Sequence, residues 1–205
     1  MISTSPIPLA LLIAAAYLLG SVPFGLLIAR LRGVDLRQVG SGNIGATNVY
    51  RCVGKRWGIA AFALDAVKGF VPAFGFPMLA AGAPDWLGLA CGVAAVAGHN
   101  WPVWLRFRGG KGVSTSAGML LGLAPAAAGI GFAVFAATVL LTRFVSLGSI
   151  LAALAVPAAY LGMRGTENRL LAGALVAMGL LVVVKHRANI KRLLAGTEPR
   201  IAGKK

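Results

Sequence analysis

Acid is scarce in this chain: five Asp and Glu stand against twenty Lys and Arg, and charged residues of either sign make up only 12% of it. Asp35, Asp65, Asp85, Glu167 and Glu198 are too scattered to build a magnesium or two-metal phosphotransfer site, so the expected chemistry is metal-free and needs no cofactor. The only cysteines are Cys52, in a basic loop, and Cys91, in an apolar segment, so no disulfide framework can be read and both are expected as free thiols. Histidine is limited to His99 and His186, the only side chains that titrate near neutrality. The net charge of +15 comes without aromatic-and-basic interleaving or zinc-finger spacing, which argues against a nucleic-acid partner.

Apolar residues, by contrast, make up 58% of the chain at a mean hydropathy of +0.82, far above a water-soluble domain of this size, so its expected solvent is a bilayer. The first apolar run, about Ile7 to Ala29, is long enough to span as a helix. No Lys or Arg precedes it, whereas Arg30, Arg32 and Arg37 follow, which places the N-terminus outside and argues against a signal peptide. Ser21, Pro23 and Gly25 near its inner end mark a local break that neighbouring helices can satisfy. A second span is expected from about Trp57 to Ala81, where Asp65 and Lys68 share a face and read as a structural ion pair. A third runs from about Trp86 to Leu105. The stretch from Val113 to Leu141 is too long for one helix and breaks at Gly122 to Pro125 into a short helix and a return helix. A sixth helix leaves the Thr142–Ser149 turn and continues to about Gly162, and a seventh covers about Leu170 to Val184. The expected fold is therefore all-α: one polytopic membrane domain over residues 1–205, with seven spans, one of them short, N-out and C-in, and with Lys205 in the cytoplasm.

On that topology four polar clusters meet the cytoplasmic face: Gly40–Arg51, His99–Lys111, Arg143–Ser149 and His186–Asn189. The first sets three glycines beside Ser41, Asn43, Thr47 and Asn48 and ends on Arg51, and it reads as a phosphate cradle opening a short helix. Gly42 and Gly45 are expected to tolerate no side chain, whereas Arg32 and Arg37 read as anchors. Two familiar motifs are excluded. Gly40 to Gly45 spells G-x-G-x-x-G with Asp65 twenty residues on, but no strand precedes it and Asp65 sits in an apolar span. Gly110-Lys111 is no Walker loop, because Leu105 stands where its first glycine belongs and Gly112 replaces the Ser or Thr. What remains is a phosphate-rich reaction served by backbone amides, Arg51, Arg108, Lys111 and Arg143, with His99 and His186 able to move protons.

At Ser21-Val22-Pro23-Phe24-Gly25, the whole Gly40–Arg51 run, Asp65 with Lys68-Gly69, Gly98-His99 through Gly112, Ser146 with Gly148-Ser149, and His186-Arg187 with Asn189-Ile190, the chain resembles the bacterial membrane acyl-phosphate:glycerol-3-phosphate acyltransferases. The resemblance runs nearly end to end and implies seven helices in the inner membrane, with the active site facing the cytoplasm. It implies transfer of a fatty acyl group from acyl phosphate to the sn-1 hydroxyl of glycerol 3-phosphate by a protein that works as a monomer in the lipid bilayer. Carried over residue by residue, it implies substrate binding by Ser41, Gly42, Asn43, Gly45, Thr47, Asn48, Arg51, Gly109, Gly110 and Ser149. Lys111, His99, His186 and Asn189 become the catalytic candidates, and the proton acceptor is His186, His99 or a substrate phosphate oxygen. The thioester-dependent phospholipid acyltransferases are disfavoured, since Trp104 and Lys191 stand where their His-x4-Asp pair needs Asp. A small transporter is disfavoured by one-sided polar clusters and by the lack of a second half resembling the first. A non-catalytic scaffold for anionic lipid would explain the charge but not the glycines.

Overall fold

The computed structural model describes residues 8–201, so the expected start at Ile7 and the cytoplasmic Lys205 lie outside the described residues. No strand occurs among the described residues. The helices are α1 (Leu9–Ser21), α2 (Phe24–Leu31), α3 (Ala46–Cys52), α4 (Lys55–Phe70), α5 (Leu87–Asn100), α6 (Val113–Leu123), α7 (Pro125–Thr142), α8 (Val145–Arg164), α9 (Arg169–Lys185) and α10 (Arg187–Leu194).

Proline decides most of the interruptions. Val22 is pushed to an extended ψ of 117° ahead of Pro23, which splits α1 from α2 where the sequence indicates. Lys68 Nζ, from α4, donates to the Val22 carbonyl at 2.7 Å, so a neighbouring helix satisfies the break. Pro72 has no N–H to continue α4, and the chain widens into a π-helical turn over Val71–Gly75 before tightening into a 3-10 turn over Phe76–Leu79. Ala124 before Pro125 separates α6 from α7 in the same way. The α7–α8 corner instead turns on Arg143, a non-glycine residue at φ 62° whose N–H returns to the Val139 carbonyl.

Among the described residues, four segments are long and apolar enough to cross a membrane: Leu9–Leu31, Lys55–Leu79, Pro125–Thr142 and Val145–Arg164. A fifth exists if α9 and α10, bent by 56°, count as one broken span. All seven expected segments contain helix, and α6 has 11 residues as the expected short one, but α5 stops at 14, short of the roughly 20 that a hydrocarbon core requires. Phe132, Leu140 and Leu141 are 67%, 81% and 85% exposed, apolar surface that belongs in lipid rather than water.

Two compact units divide the chain, Met1–Leu123 and Ala124–Lys205. In the first, α1 packs on α5 and α4 on α6. A Cβ at Gly69 would collide with the Thr115 carbonyl, and one at Gly118 with the Ala66 carbonyl, so these two glycines let the α4 and α6 backbones touch. In the second, α8 packs between α7 and α9, and Asn168 caps α9 by accepting the Leu171 N–H at 2.9 Å.

Candidate active site

The Gly40–Arg51 loop is seated by its Ile44 and Val49 on an apolar floor of Leu26, Ala29, Leu36 and Ala61. Its shape is set from within by Asn48, only 2% exposed. The Asn48 amide donates to the Leu36 and Val39 carbonyls at 3.2 and 3.1 Å, and its Oδ1 accepts the Ser41 N–H at 3.0 Å. The Cys52 thiol adds a longer contact to the same oxygen at 3.6 Å. Asn43 Oδ1 accepts the Gly45 N–H at 2.9 Å immediately before α3 begins. Ser41 and Gly42 are exposed at the crest while Asn48 is buried beneath them, so the loop presents backbone and hydroxyl groups over a fixed base.

Glycine is required here at positions that differ in part from the sequence expectation. Gly42 does take a positive φ, 68°, whereas Gly45 has an ordinary φ of −75° as the residue before α3 and is restricted by Asn43 Oδ1, 3.0 Å from where its Cβ would lie. The most constrained glycine is Gly40, at φ 61°, where a Cβ would collide with Asn48 Oδ1 and lie 2.7 Å from Cys52 Sγ. The two arginines before the loop have partners of their own. Arg37 bonds both oxygens of Asp35, at 3.0 and 2.7 Å, and holds that carboxyl down at about 2, while Arg32 lies over the Trp57 ring at 5.2 Å.

The second polar loop of this unit follows α5. Arg106 and Phe107 both adopt left-handed φ, 50° and 61°, costing about 1–2 kcal/mol each, before the chain reaches Gly109 and Gly110. The Gly110 N–H donates to the His99 carbonyl at 3.1 Å. Beneath the loop, Asp65 and Lys68 form the expected ion pair at 2.7 Å, both nearly inaccessible, and His99 Nδ1 lies 3.7 Å from the same Asp65 oxygen.

In the second unit the polar groups gather on Glu198. Its Oε1 accepts from Ser146 Oγ at 2.8 Å and from Asn189 Nδ2 at 2.7 Å, and its Oε2 accepts from Arg192 Nε at 2.7 Å. The Ile201 N–H donates to the Arg143 carbonyl at 2.8 Å, so the tail returns along the α7–α8 corner. His186 Nδ1 lies 2.8 Å from the Val182 carbonyl. A carbonyl only accepts, so Nδ1 carries a proton and the ring is held in one orientation. The Ser149 hydroxyl donates to the Val145 carbonyl at 2.9 Å.

Residues 10–196 match the family described as glycerol-3-phosphate acyltransferase. A curated glycerol-3-phosphate acyltransferase from Geobacter sulfurreducens is 48% identical over 191 residues, covering 93% of this chain and 96% of its own length. One from Aquifex aeolicus is 45% identical over 189 residues, covering 92% and 97%. The chain belongs to the glycerol-3-phosphate acyltransferase family. Two solved structures of PlsY, described as an integral membrane glycerol 3-phosphate acyltransferase, are similar to this family member. The glycerol 3-phosphate form has a TM-score of 0.85 at 41% identity, covering 95% of this chain and 96% of that one. The lysophosphatidic acid form has a TM-score of 0.82 at 40% identity, covering 95% of each chain.

For this family member, two residues stand out that the sequence reading passed over. Gly40 entered as one of the three cradle glycines but not among the candidate site residues, and Glu198 only as one of the scattered acids. The sole sequence signal for Glu198 is that it stands alone in a basic tail. Burial opposes its charge, but hydrogen bonds from Asn189, Ser146 and Arg192, with the Arg192 charge, hold the carboxyl below its ordinary value of 4.5. A lowered folded-state value means that the stabilisation is complete above that ordinary value and is lost as pH falls through the folded one. Glu198→Ala is expected to lower stability by about 2–4 kcal/mol at neutral pH, since three donors lose their acceptor, and to flatten the acid limb of the stability curve. Thermal melts of both proteins from pH 7 to pH 3 would check this, and parallel acid limbs would show that Glu198 is not the group responsible.

Proposed function

We propose that the chain transfers a fatty acyl group from acyl phosphate to the sn-1 hydroxyl of glycerol 3-phosphate, giving lysophosphatidic acid and inorganic phosphate. The observation that carries this reading is the likeness to solved acyltransferase structures whose two forms are named for the acceptor and the product. The donor is the one the sequence resemblance implies, and the glycine-rich amide cradle supports it, because such a cradle suits a leaving group that gathers charge on phosphate oxygens.

Ser41, Gly42, Asn43, Gly45 and Thr47 take the acyl phosphate, and Asn48 shapes the loop that presents them. Arg51, Lys111 and the backbone of Gly109 and Gly110 take the phosphate of glycerol 3-phosphate through charge-assisted bonds. Ser149, whose proton goes to the Val145 carbonyl, offers lone pairs and suits a glycerol hydroxyl rather than a phosphate. His186, with Nδ1–H fixed by Val182 and Nε2 as the acceptor atom, is the favoured side-chain base, and Asn189 is held beside it by Glu198. A phosphate oxygen of the substrate can take the same proton. The protein lies in the inner membrane as a monomer with seven spans, N-out and C-in, the site faces the cytoplasm, and the acyl chain lies among the helices in lipid.

Donor exchange in lipid vesicles tests this. With chelator present, acyl phosphate and glycerol 3-phosphate should yield lysophosphatidic acid at rates at least about a hundredfold above those with acyl-CoA, whose leaving group is a thiolate the cradle does not fit. Product formed only from acyl-CoA would overturn the donor assignment.

A further inference from the structure

Three ionisable side chains lie within the first unit almost without solvent: Asp65 is 1% exposed, Lys68 2% and His99 6%. Stability alone does not account for them, because apolar residues of similar volume would fill the same space without desolvating charge. What they do is join three separate backbone segments. Lys68 Nζ forms an ion pair with Asp65 Oδ1 at 2.7 Å and donates a hydrogen bond to the Val22 carbonyl at the α1–α2 break, also at 2.7 Å. Asp65 faces His99 Nδ1 at 3.7 Å, an electrostatic contact longer than a hydrogen bond. On its other edge the ring meets the glycine loop, since a Cβ at Gly110 would collide with His99 Nε2 and one at Gly109 with the His99 carbonyl. The imidazole therefore sits between a fixed carboxylate and the loop backbone, with Nε2 filling the space that a side chain at Gly110 would need. The Nε2 edge of the ring is thereby turned toward the Gly110 backbone.

We propose that Asp65, Lys68 and His99 form a buried positioning relay that sets the backbone of Gly109–Gly112, and with it the Lys111 ammonium, for the phosphate of glycerol 3-phosphate. The inference rests on the function proposed above, and it makes His99 a positioning residue rather than the base. Lys68 fixes the Asp65 carboxylate against the break in the first span, Asp65 fixes the ring, and the ring sets the height of the loop one residue before Lys111. The relay acts on binding of one substrate, so it should leave the acyl phosphate side and the chemical step nearly untouched.

Steady-state kinetics in vesicles, with a melt on every variant, tests this. Asp65→Asn keeps shape and removes charge, and His99→Asn keeps an N–H near Nδ1 while vacating the Nε2 volume. Each should raise KM for glycerol 3-phosphate by about tenfold or more, as a displaced anchoring group does, with kcat and KM for acyl phosphate within about threefold of wild type. In a Lys111→Ala background Asp65→Asn should add almost nothing, because the group it positions is gone. Effects that multiply in that background, or that fall equally on both substrates, would overturn the relay. If Asp65→Asn fails to fold, Gly110→Ala reads the same contact from the loop side. Combined with His99→Ala it should be no worse than His99→Ala alone, and a loss equal to the product of the single effects would overturn the proposal. Wild-type protein that makes no lysophosphatidic acid from acyl phosphate would sink the proposed function instead. The relay would then be read from calorimetric binding of glycerol 3-phosphate to the same variants, where the same non-additivity supports it and additivity overturns it.

Discussion

Gly40→Ala is expected to lower the acyl-transfer rate by about a hundredfold or more while the protein still inserts and folds, because the oriented donors it disturbs are of the kind worth that much in catalysis. Gly40 combines a φ of 61° with a missing side chain whose place is taken by Asn48 Oδ1. A methyl group there drives the Asn48 amide away, and Asn48 is the residue that holds the Ser41 N–H and the Leu36 and Val39 carbonyls. The loop would lose its base and its conformation in one substitution. Gly33→Ala is the matched control, because Gly33 also has a positive φ, 74°, but open space around it. It carries the strain of a left-handed residue, about 1–2 kcal/mol, without touching the loop, and should retain most activity. Initial rates and thermal melts on both variants decide the matter. Similar losses of rate at Gly33 and Gly40, tracking similar losses of stability, would mean that the loop glycines serve folding alone.

Lys111→Ala and Arg51→Ala should each cost about a hundredfold to a thousandfold in kcat/KM for glycerol 3-phosphate, the loss that follows removal of a charge-assisted contact to a phosphate in a low-dielectric site. The two differ in what rescues them. Arg51 stands in the last turn of α3 with its Nε buried, so its planar fork approaches a ligand in one orientation, and Arg51→Lys should recover little. Lys111 sits between glycines as a point charge, and Lys111→Arg should recover more. Arg37→Ala removes only an exposed pair with Asp35 and should change the rate less than threefold, since such pairs contribute at most about 1 kcal/mol. Kinetics with glycerol 3-phosphate as the varied substrate separates these cases. Full rescue by Arg51→Lys would place Arg51 among the general anchors of a basic loop.

Sequence made the local features legible. Pro23 and Pro125 act through their own ring and the preceding residue, so the α1–α2 and α6–α7 breaks fall where those residues stand. Asp65 and Lys68 are three apart on one helix, so their pairing needs only helical geometry. Contacts that close across the chain were not legible. Asp65 and His99 are 34 positions apart, and Ser146 and Glu198 are 52 apart, so neither contact leaves a mark in any short window. Span length was also hard to read, because Trp101, Pro102 and Leu105 extend the apolar run past the end of α5 without extending the helix. Asn48 shows a further limit. Its type and place in the loop suggested a ligand contact, while its burial shows that its amide is committed to the loop's own backbone. Composition alone does not distinguish a residue that shapes a cradle from one that faces its contents.

In the proposed reaction the chain catalyses attack at the acyl carbon, with phosphate as the leaving group. Acyl phosphate carrying heavy oxygen at the bridge between carbon and phosphorus tests it directly in the reconstituted reaction. If the carbon–oxygen bond breaks, lysophosphatidic acid and inorganic phosphate appear in equal amounts and the heavy oxygen leaves with the phosphate, as predicted. Heavy oxygen retained in free fatty acid would mean cleavage at phosphorus and would contradict the proposed reaction.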